Sequence, residues 1–312
     1  MALKYTGDEL VESARNLVSV ANTASTGTKD TDILRHLTEA LRSKIVPDII
    51  RKREEYLAIT VRIAMSGSET QYRIPSRAIA NRLRDIYFYD GSNRRKIDPI
   101  PREELHIYES TGTSYPAGYY IQGNYICLVP TVATYSGSLE VGFYFRPGDL
   151  VLEASAGQVT VINGSVVTLG NLPSAWSTSD TFDAHSQESG AEIKVWDATV
   201  SNVDAVNKQL TFSSNIDGSD FGTKAIAVDD WVCLAGEAVV PAIPKELHPM
   251  LVEAACLQIA KGLQDKEAIL VHGAEIKNYQ KSATSLLDNR VESKPLRITG
   301  RKGILWAGKI YN

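Results

Sequence analysis

Apolar positions recur at helical spacing from the start of the chain, where Leu10, Ala14, Leu17 and Val18 form one stripe and Thr6 to Glu9 reads as a capping box. A loop rich in Ser, Thr and Gly, from Thr23 to Thr28, precedes a longer amphipathic helix marked by Ile33, Leu34, Leu37, Leu41 and Ile45. Pro47 removes an intrahelical donor, so that helix should kink or restart there and continue from Asp48 to Tyr56, with the charged Arg51–Glu55 cluster exposed. The period then changes to two. Leu57 to Ala64 and Thr70 to Ile74 read as a strand pair around Ser66-Gly67-Ser68, and Leu83 to Tyr89 and Lys96 to Ile100 flank the turn Asp90-Gly91-Ser92-Asn93. A short helix start is expected at Pro101 to Leu105. Tyr119 to Ile121 and Tyr125 to Val129 close on the hairpin dipeptide Gly123-Asn124, and Ser138 to Tyr144 forms a further strand.

From about 150 to 236 strand follows strand. Gln158–Ile162 and Ser165–Leu169 meet at Asn163-Gly164, followed by Ile193 to Val200, Gln209 to Ser213 and Lys224 to Leu234. Short strands in series predict a small barrel or sandwich, inserted at residues 153–237. Helices return at Pro244, first with Leu247, Leu251, Ala254 and Gln258 at helical spacing, then from Lys266 to Val291. In that last helix Ile269, Ile276 and Ala283 make one row and His272, Tyr279 and Leu286 another, a repeat suited to an antiparallel helical hairpin. The expected fold class is α+β: residues 1–152 as helices and β-hairpins of a core, 238–291 as a helical pair returning to it, and 292–312 as an extended basic arm.

Charge sharpens this division. The net value of −4 over 312 residues argues against a surface that grips nucleic acid throughout. By segment, residues 1–150 hold 19 basic against 18 acidic groups, 151–240 hold 3 against 12 with no arginine, and 241–312 hold 11 against 7. An acidic module therefore sits between two mixed segments. Cys127, Cys233 and Cys256 are far apart in apolar surroundings, as expected of reduced, buried thiols in a chain that stays in a cytoplasm or a particle assembled there. No apolar run approaches the length of a membrane span, and no secretory signal is visible.

Catalytic motifs are missing: there is no GxxxxGK, GxGxxG after a strand, HExxH or GxSxG, and the five histidines lack metal-ligand spacing. No enzyme activity and no cofactor are expected. Asp180, Asp183, His185 and Glu188 could hold a divalent cation if their loop folded back, or lie on a solvated loop between strands. Asp217, Ser219 and Asp220 resemble part of a calcium loop without its closing glutamate. Arg77, Arg82, Arg84, Arg94, Arg95 and Lys96, interleaved with Tyr87 and Tyr89, could touch phosphate or form a solvated or inter-subunit face.

The order of segments carries a resemblance. Helices lead to Tyr72-Arg73-Ile74-Pro75-Ser76-Arg77-Ala78-Ile79 and Leu83-Arg84-Asp85, then to Tyr119-Tyr120-Ile121-Gln122-Gly123-Asn124 and Leu128-Val129-Pro130. Phe143-Tyr144-Phe145-Arg146-Pro147 precedes Leu150-Val151, and a helical pair and basic arm close the chain. This resembles the head–tail connector (adaptor, or head-completion) proteins of tailed bacteriophages over about residues 1–152 and 240–312, with the β module as an elaboration. The resemblance implies a virion protein of the neck, assembled in the host cytoplasm, in a commonly dodecameric ring. The portal protein would lie above it and tail or nozzle proteins below, with double-stranded DNA passing through without sequence recognition and no membrane involved. It also implies that the arm reaches against the portal. The arm from Lys294 carries Lys294, Arg297, Arg301, Lys302 and Lys309 and no acid, with Ile298, Ile304, Leu305, Trp306, Ile310 and Tyr311 as apolar anchors. The alternative for so apolar a segment is local packing over its own helices. The β module would sit outside the ring rather than line the channel. A second reading makes residues 150–237 a glycan-binding or glycan-cleaving module of a virion-associated protein, through Trp176, Trp196 and Trp231.

Overall fold

The computed structural model describes residues 5–18, 29–67, 69–108, 115–130, 135–187, 192–214, 216–219 and 222–287. Helix α1 (Gly7–Val18) and α2 (Asp30–Ala40) open it; a π-helical turn at Leu41–Ile45 runs into α3 (Val46–Lys52), whose first turn holds Pro47. The missing proline donor is thus absorbed by a wider turn and a restart. The α-helix ends at Arg53, where φ is −145°, and Glu54–Leu57 form a 3₁₀ turn in place of the helix expected to reach Tyr56. The capping box expected from Thr6 and Glu9 does not form at the start of α1. The Glu9 carboxylate accepts from the backbone N–H of Tyr5 at 2.6 Å, while the Thr6 hydroxyl is buried with no partner among the described residues. The buried stripe of α1 is Leu10, Val11 and Ala14, and Leu17 is exposed, so the expected stripe was rotated by part of a turn.

Strands follow as β1 (Ala58–Ser66), β2 (Gln71–Arg73), β3 (Ala78–Tyr89) and β4 (Arg94–Ile97). After the short helix α4 (Leu105–Tyr108) come β5 (Gly118–Gln122), β6 (Tyr125–Val129), β7 (Ser136–Phe145) and β8 (Asp149–Leu150). They form an antiparallel sheet in the order β1-β7-β3-β4 and a three-stranded sheet β2-β6-β5. The hairpins at Asp90–Asn93 and Gly123-Asn124 form as expected. The pair expected around Ser66-Gly67-Ser68 does not form. β1 pairs along its whole length with β7, from Ala58 opposite Tyr144 to Ser66 opposite Ser136, and β2 pairs with β6 in the other sheet. Burial overrides the local turn signal: β7 carries Leu139, Val141 and Phe143, all with no exposed surface, and needs long neighbours on both sides.

The chain then enters a closed barrel of β9 (Gly157–Asn163), β10 (Val166–Leu169), β11 (Thr181–His185), β12 (Ile193–Asp204), β13 (Gln209–Phe212) and β14 (Trp231–Leu234), in the order β10-β13-β12-β11-β14-β9. Its core is Val159, Val167, Phe182, Leu210 and Val232 with their neighbours. Asn163-Gly164 turns β9 into β10, and Gly164 has φ +60°, the left-handed conformation a two-residue hairpin requires. The strand expected from Lys224 is confined to Trp231–Leu234, and Thr181–His185 is a strand that the sequence reading left as loop.

β15 (Glu237–Ala238) leaves the barrel and pairs in parallel with β8, so the chain enters and exits side by side. Helices α5 (His248–Leu263) and α6 (Lys266–Leu287) then return to α1, α2 and α3. Leu37, Leu41, Ile49, Leu251, Ala254 and Cys256 are fully buried at their centre. The turn between α5 and α6 is closed by Gln264 in the left-handed region (φ 58°) and by Asp265, whose carboxylate accepts from the N–H groups of Glu267 and Ala268. The described part of α6 follows the expected rows, with His272, Ile276 and Ala283 buried; residues 288–291 lie outside the described residues.

Gly7 pins this body to the barrel entry. Its N–H donates to the Val239 carbonyl at 2.8 Å, and a Cβ placed on it would stand 2.2 Å from the Val151 carbonyl oxygen. Backbone meets backbone here, so neither side yields easily. Gly7→Ala is therefore expected to cost about 1–3 kcal/mol, read as a lower urea midpoint with an unchanged slope; a neutral result would show that α1 shifts freely.

Candidate functional site

The expected acidic loop at Asp180 to Glu188 is instead a joint between barrel and body. β11 is buried on both faces: Phe182 and Ala184 point into the barrel core, whereas Asp183 and His185, each with no exposed surface, face the body. Arg77, from the Pro75-Ser76-Arg77 turn that leads into β3, donates from Nη2 to the Asp183 carboxylate at 2.6 Å. The same carboxylate accepts from the N–H groups of Asp197 (2.9 Å) and Gly236 (3.0 Å). One buried group thus ties together β3, β11, β12 and the turn before β15. Arg77 also lies over the Phe145 ring, 4.8 Å from its centroid, at the end of β7. His185 Nε2 donates to the Glu237 carbonyl at 3.0 Å, and burial holds its pKa below the usual imidazole value. Burial and the Asp183 charge raise the Asp197 carboxyl, and burial with Asp149 and Asp183 raises Glu237.

Asp183 and His185 therefore do not converge on a cation. Asp180 accepts from the backbone N–H and hydroxyl of Ser177, and Glu188 lies outside the described residues. Asp217 caps the N–H of Ser219, and Asp220 lies outside the described residues. No group of three His, Cys, Asp or Glu among the described residues could hold a metal. The reading of Asp183 and His185 as solvated fails as well, because each lies on a strand face that is covered.

The basic stretch is absorbed in a similar way. Glu140 on β7, only 2% exposed, accepts from Arg62 on β1 and Arg94 on β4, both at 2.6 Å. Arg62 then lies over the Tyr89 ring at 4.5 Å and Arg94 over Tyr87 at 3.7 Å, while Arg95 covers Tyr115 at 4.3 Å. Arg82 covers Tyr144, whose hydroxyl donates to Glu54 at 2.7 Å. The Arg–Tyr interleaving is thus a stacked sheet face in which several cations already have a ring or carboxylate. Phosphate would have to compete for them. The sequence reading missed Glu140; its signal was an isolated acid inside the apolar run Leu139–Phe145.

Of the tryptophans, Trp176 is buried edge-on against Phe182, and Trp231 is buried beneath the joint. Trp196 is partly buried and lines a cleft of about 650 Å³ between β1 and the barrel, with Tyr56, Phe145, Ile193 and Lys224. They do not form the shared exposed face that sugar stacking requires. Cys127, Cys233 and Cys256 are free and buried, and burial raises each thiol, Cys256 to about 12. No helix among the described residues is long and apolar enough to cross a membrane. The arm residues Lys294, Arg297, Ile298, Arg301, Lys302, Ile304, Leu305, Trp306, Lys309, Ile310 and Tyr311 lie outside the described residues.

Charged groups in this molecule act as joints between its own elements. A search of curated proteins returned no match. The SU10 adaptor protein family matches residues 5–185, from the start of α1 to the end of β11. The match therefore runs into the first three barrel strands, where the sequence reading had placed an elaboration, and stops before the returning helices. Covering more than half of the chain and both halves of the Arg77–Asp183 joint, it makes this protein a member of the SU10 adaptor protein family, a phage structural adaptor protein.

Proposed function

We propose that the chain is one subunit of a ring, dodecameric by its resemblance to connectors, that joins the portal vertex to the tail and lets DNA pass through its channel. The observation that carries this reading is the adaptor-family match across the N-terminal helices, both antiparallel sheets and the first three barrel strands. Charge supports it. Residues 151–240, with 3 basic and 12 acidic groups, offer little to hold phosphate, and the strongest cations of the sheet are stacked on tyrosines. The portal protein is the partner above, received by the arm from Lys294 to Asn312; tail or nozzle proteins are the partners below. Ordering such an arm costs entropy, which burial of Trp306, Ile304 and Leu305 would offset.

Deleting residues 294–312 is expected to leave a subunit with an unchanged Tm that no longer joins portal-containing heads. Infectious particles completed by the truncated chain would refute the arm's role. A mass measurement on assembled necks that gave a monomer or dimer per vertex would refute the ring.

A further inference from the structure

A second patch of positive charge lies on the helical body, away from the stacked sheet face. Helices α3 and α6 flank a cleft of about 480 Å³ lined by Asp48, Arg51, Lys52, Lys277, Gln280 and Lys281. Among the described lining residues Asp48 is the one carboxylate, and it accepts from Gln280 at 3.3 Å. Arg51, Lys277 and Lys281 are exposed and enter no ion pair among the described residues. Mutual repulsion of Arg51, Lys277 and Lys281 raises the energy of the free subunit, and an anionic partner relieves it.

We propose that the α3–α6 cleft docks an acidic segment of a protein partner, its carboxylates paired by Arg51, Lys277 and Lys281. Asp48 and Gln280 stand among the cations, which divides the positive surface into separate points. Spaced carboxylates fit that pattern, and a continuous phosphate backbone would be repelled at Asp48. Among the described residues, the cleft has no aromatic lining on which a base could stack. Leu287, the last described residue of α6, lines a small pocket beside this cleft together with Asp48, Lys52 and Met250. Identifying the acidic partner with the one that receives the arm rests on the connector reading; the chemistry of the cleft does not.

The test compares the full chain with Arg51→Glu/Lys277→Glu/Lys281→Glu and with the milder Lys277→Gln/Lys281→Gln. Fluorescence anisotropy would follow binding of labelled poly-glutamate and of a duplex DNA oligomer at 50 and 200 mM salt. Charge reversal is expected to weaken poly-glutamate binding by about tenfold or more at the lower salt, with the glutamine variant intermediate and both variants unchanged in Tm. Equal poly-glutamate affinity in all three chains would overturn the proposal. So would a loss confined to DNA, which would make the cleft a phosphate site. Sedimentation with portal-bearing heads separates the two readings. Heads bound by the chain lacking 294–312 but not by the charge-reversed chain would support the cleft and remove the arm. The opposite result would keep the arm and remove the portal as the partner of the cleft, whose acidic docking the poly-glutamate comparison decides by itself.

Discussion

Replacing Arg77 with methionine should destabilise the chain by about 3–5 kcal/mol, the largest effect expected of any single substitution considered for this protein. The Asp183 carboxylate has no solvent access, and Arg77, 2.6 Å away, is its one cationic partner among the described residues. Methionine keeps much of the packing of the arginine stem over Phe145 but removes the charge, leaving a buried carboxylate held by two backbone N–H groups alone. Changing Asp183 to Asn in the same chain removes the stranded charge and keeps one acceptor oxygen, enough for the N–H of Asp197 or of Gly236 but not for both, which use different carboxylate oxygens. Arg77→Met/Asp183→Asn should therefore recover at least half of the loss, which urea unfolding followed by the buried Trp176 and Trp231 can read. A double variant no better than the single one would mean that the joint acts through arginine packing rather than through charge.

Acid should weaken the fold through His248. That ring is fully buried at the start of α5, edge-on to Tyr5 at 4.7 Å, and burial pushes its pKa down to about 4. An unfolded imidazole takes up its proton near pH 6.5, so between about pH 6.5 and 4 the unfolded chain binds more protons than the folded one. Stability is retained above this window and lost as the pH falls through it, by about 3 kcal/mol for this one group. His185 acts in the same direction. Asp197 and Glu237, whose carboxyls are raised, act in the opposite one, because protonation relieves their burial. A comparison with His248→Phe isolates the histidine. The variant should gain about 3 kcal/mol on the wild type between pH 7 and pH 4, whatever its cost at pH 7. Parallel stability curves would show that the ring keeps an ordinary affinity for protons in the folded chain.

How far the sequence spoke for itself depended on the range of each interaction. The turns at Asp90–Asn93, Gly123-Asn124 and Asn163-Gly164 are local, and each specified its hairpin. The helical rows of α5 and α6 were legible for the same reason. Partner choice for β1 was not, since the advantage of pairing with β7 lies in Leu139, Val141 and Phe143, more than 70 residues downstream of Ala58. β11 was hidden because both of its faces are covered, one by barrel and one by body. Its Asp183 and His185 therefore carry the polarity of a loop while sitting in an interior. The stretch of arginines and tyrosines was visible, but its satisfaction by Glu140 and ring stacking was not. Nothing in the spacing showed that the rings would lie beneath the cations. The cleft between α3 and α6 was half visible, as the exposed cluster at Arg51, and became a surface only when Lys277 and Lys281 were packed against it.

The parallel pairing of β8 with β15 also bears on how such a chain reaches its native state. Helices α1 and α2 bury their apolar stripes against α5, which is synthesised more than 200 residues later, and separations of that kind are slow to close. The barrel lying between them joins three hairpins of consecutive strands through the longer pairings β10 to β13, β11 to β14 and β14 to β9, all of them shorter in sequence than the contacts of the helical body, so it can close first. Once closed, it holds Leu150 and Ala238 alongside one another, and a separation of nearly ninety residues becomes a step across one pair of strands. In that order of events the barrel acts first as a splint, bringing the two halves of the helical body within reach before either has a partner to pack against.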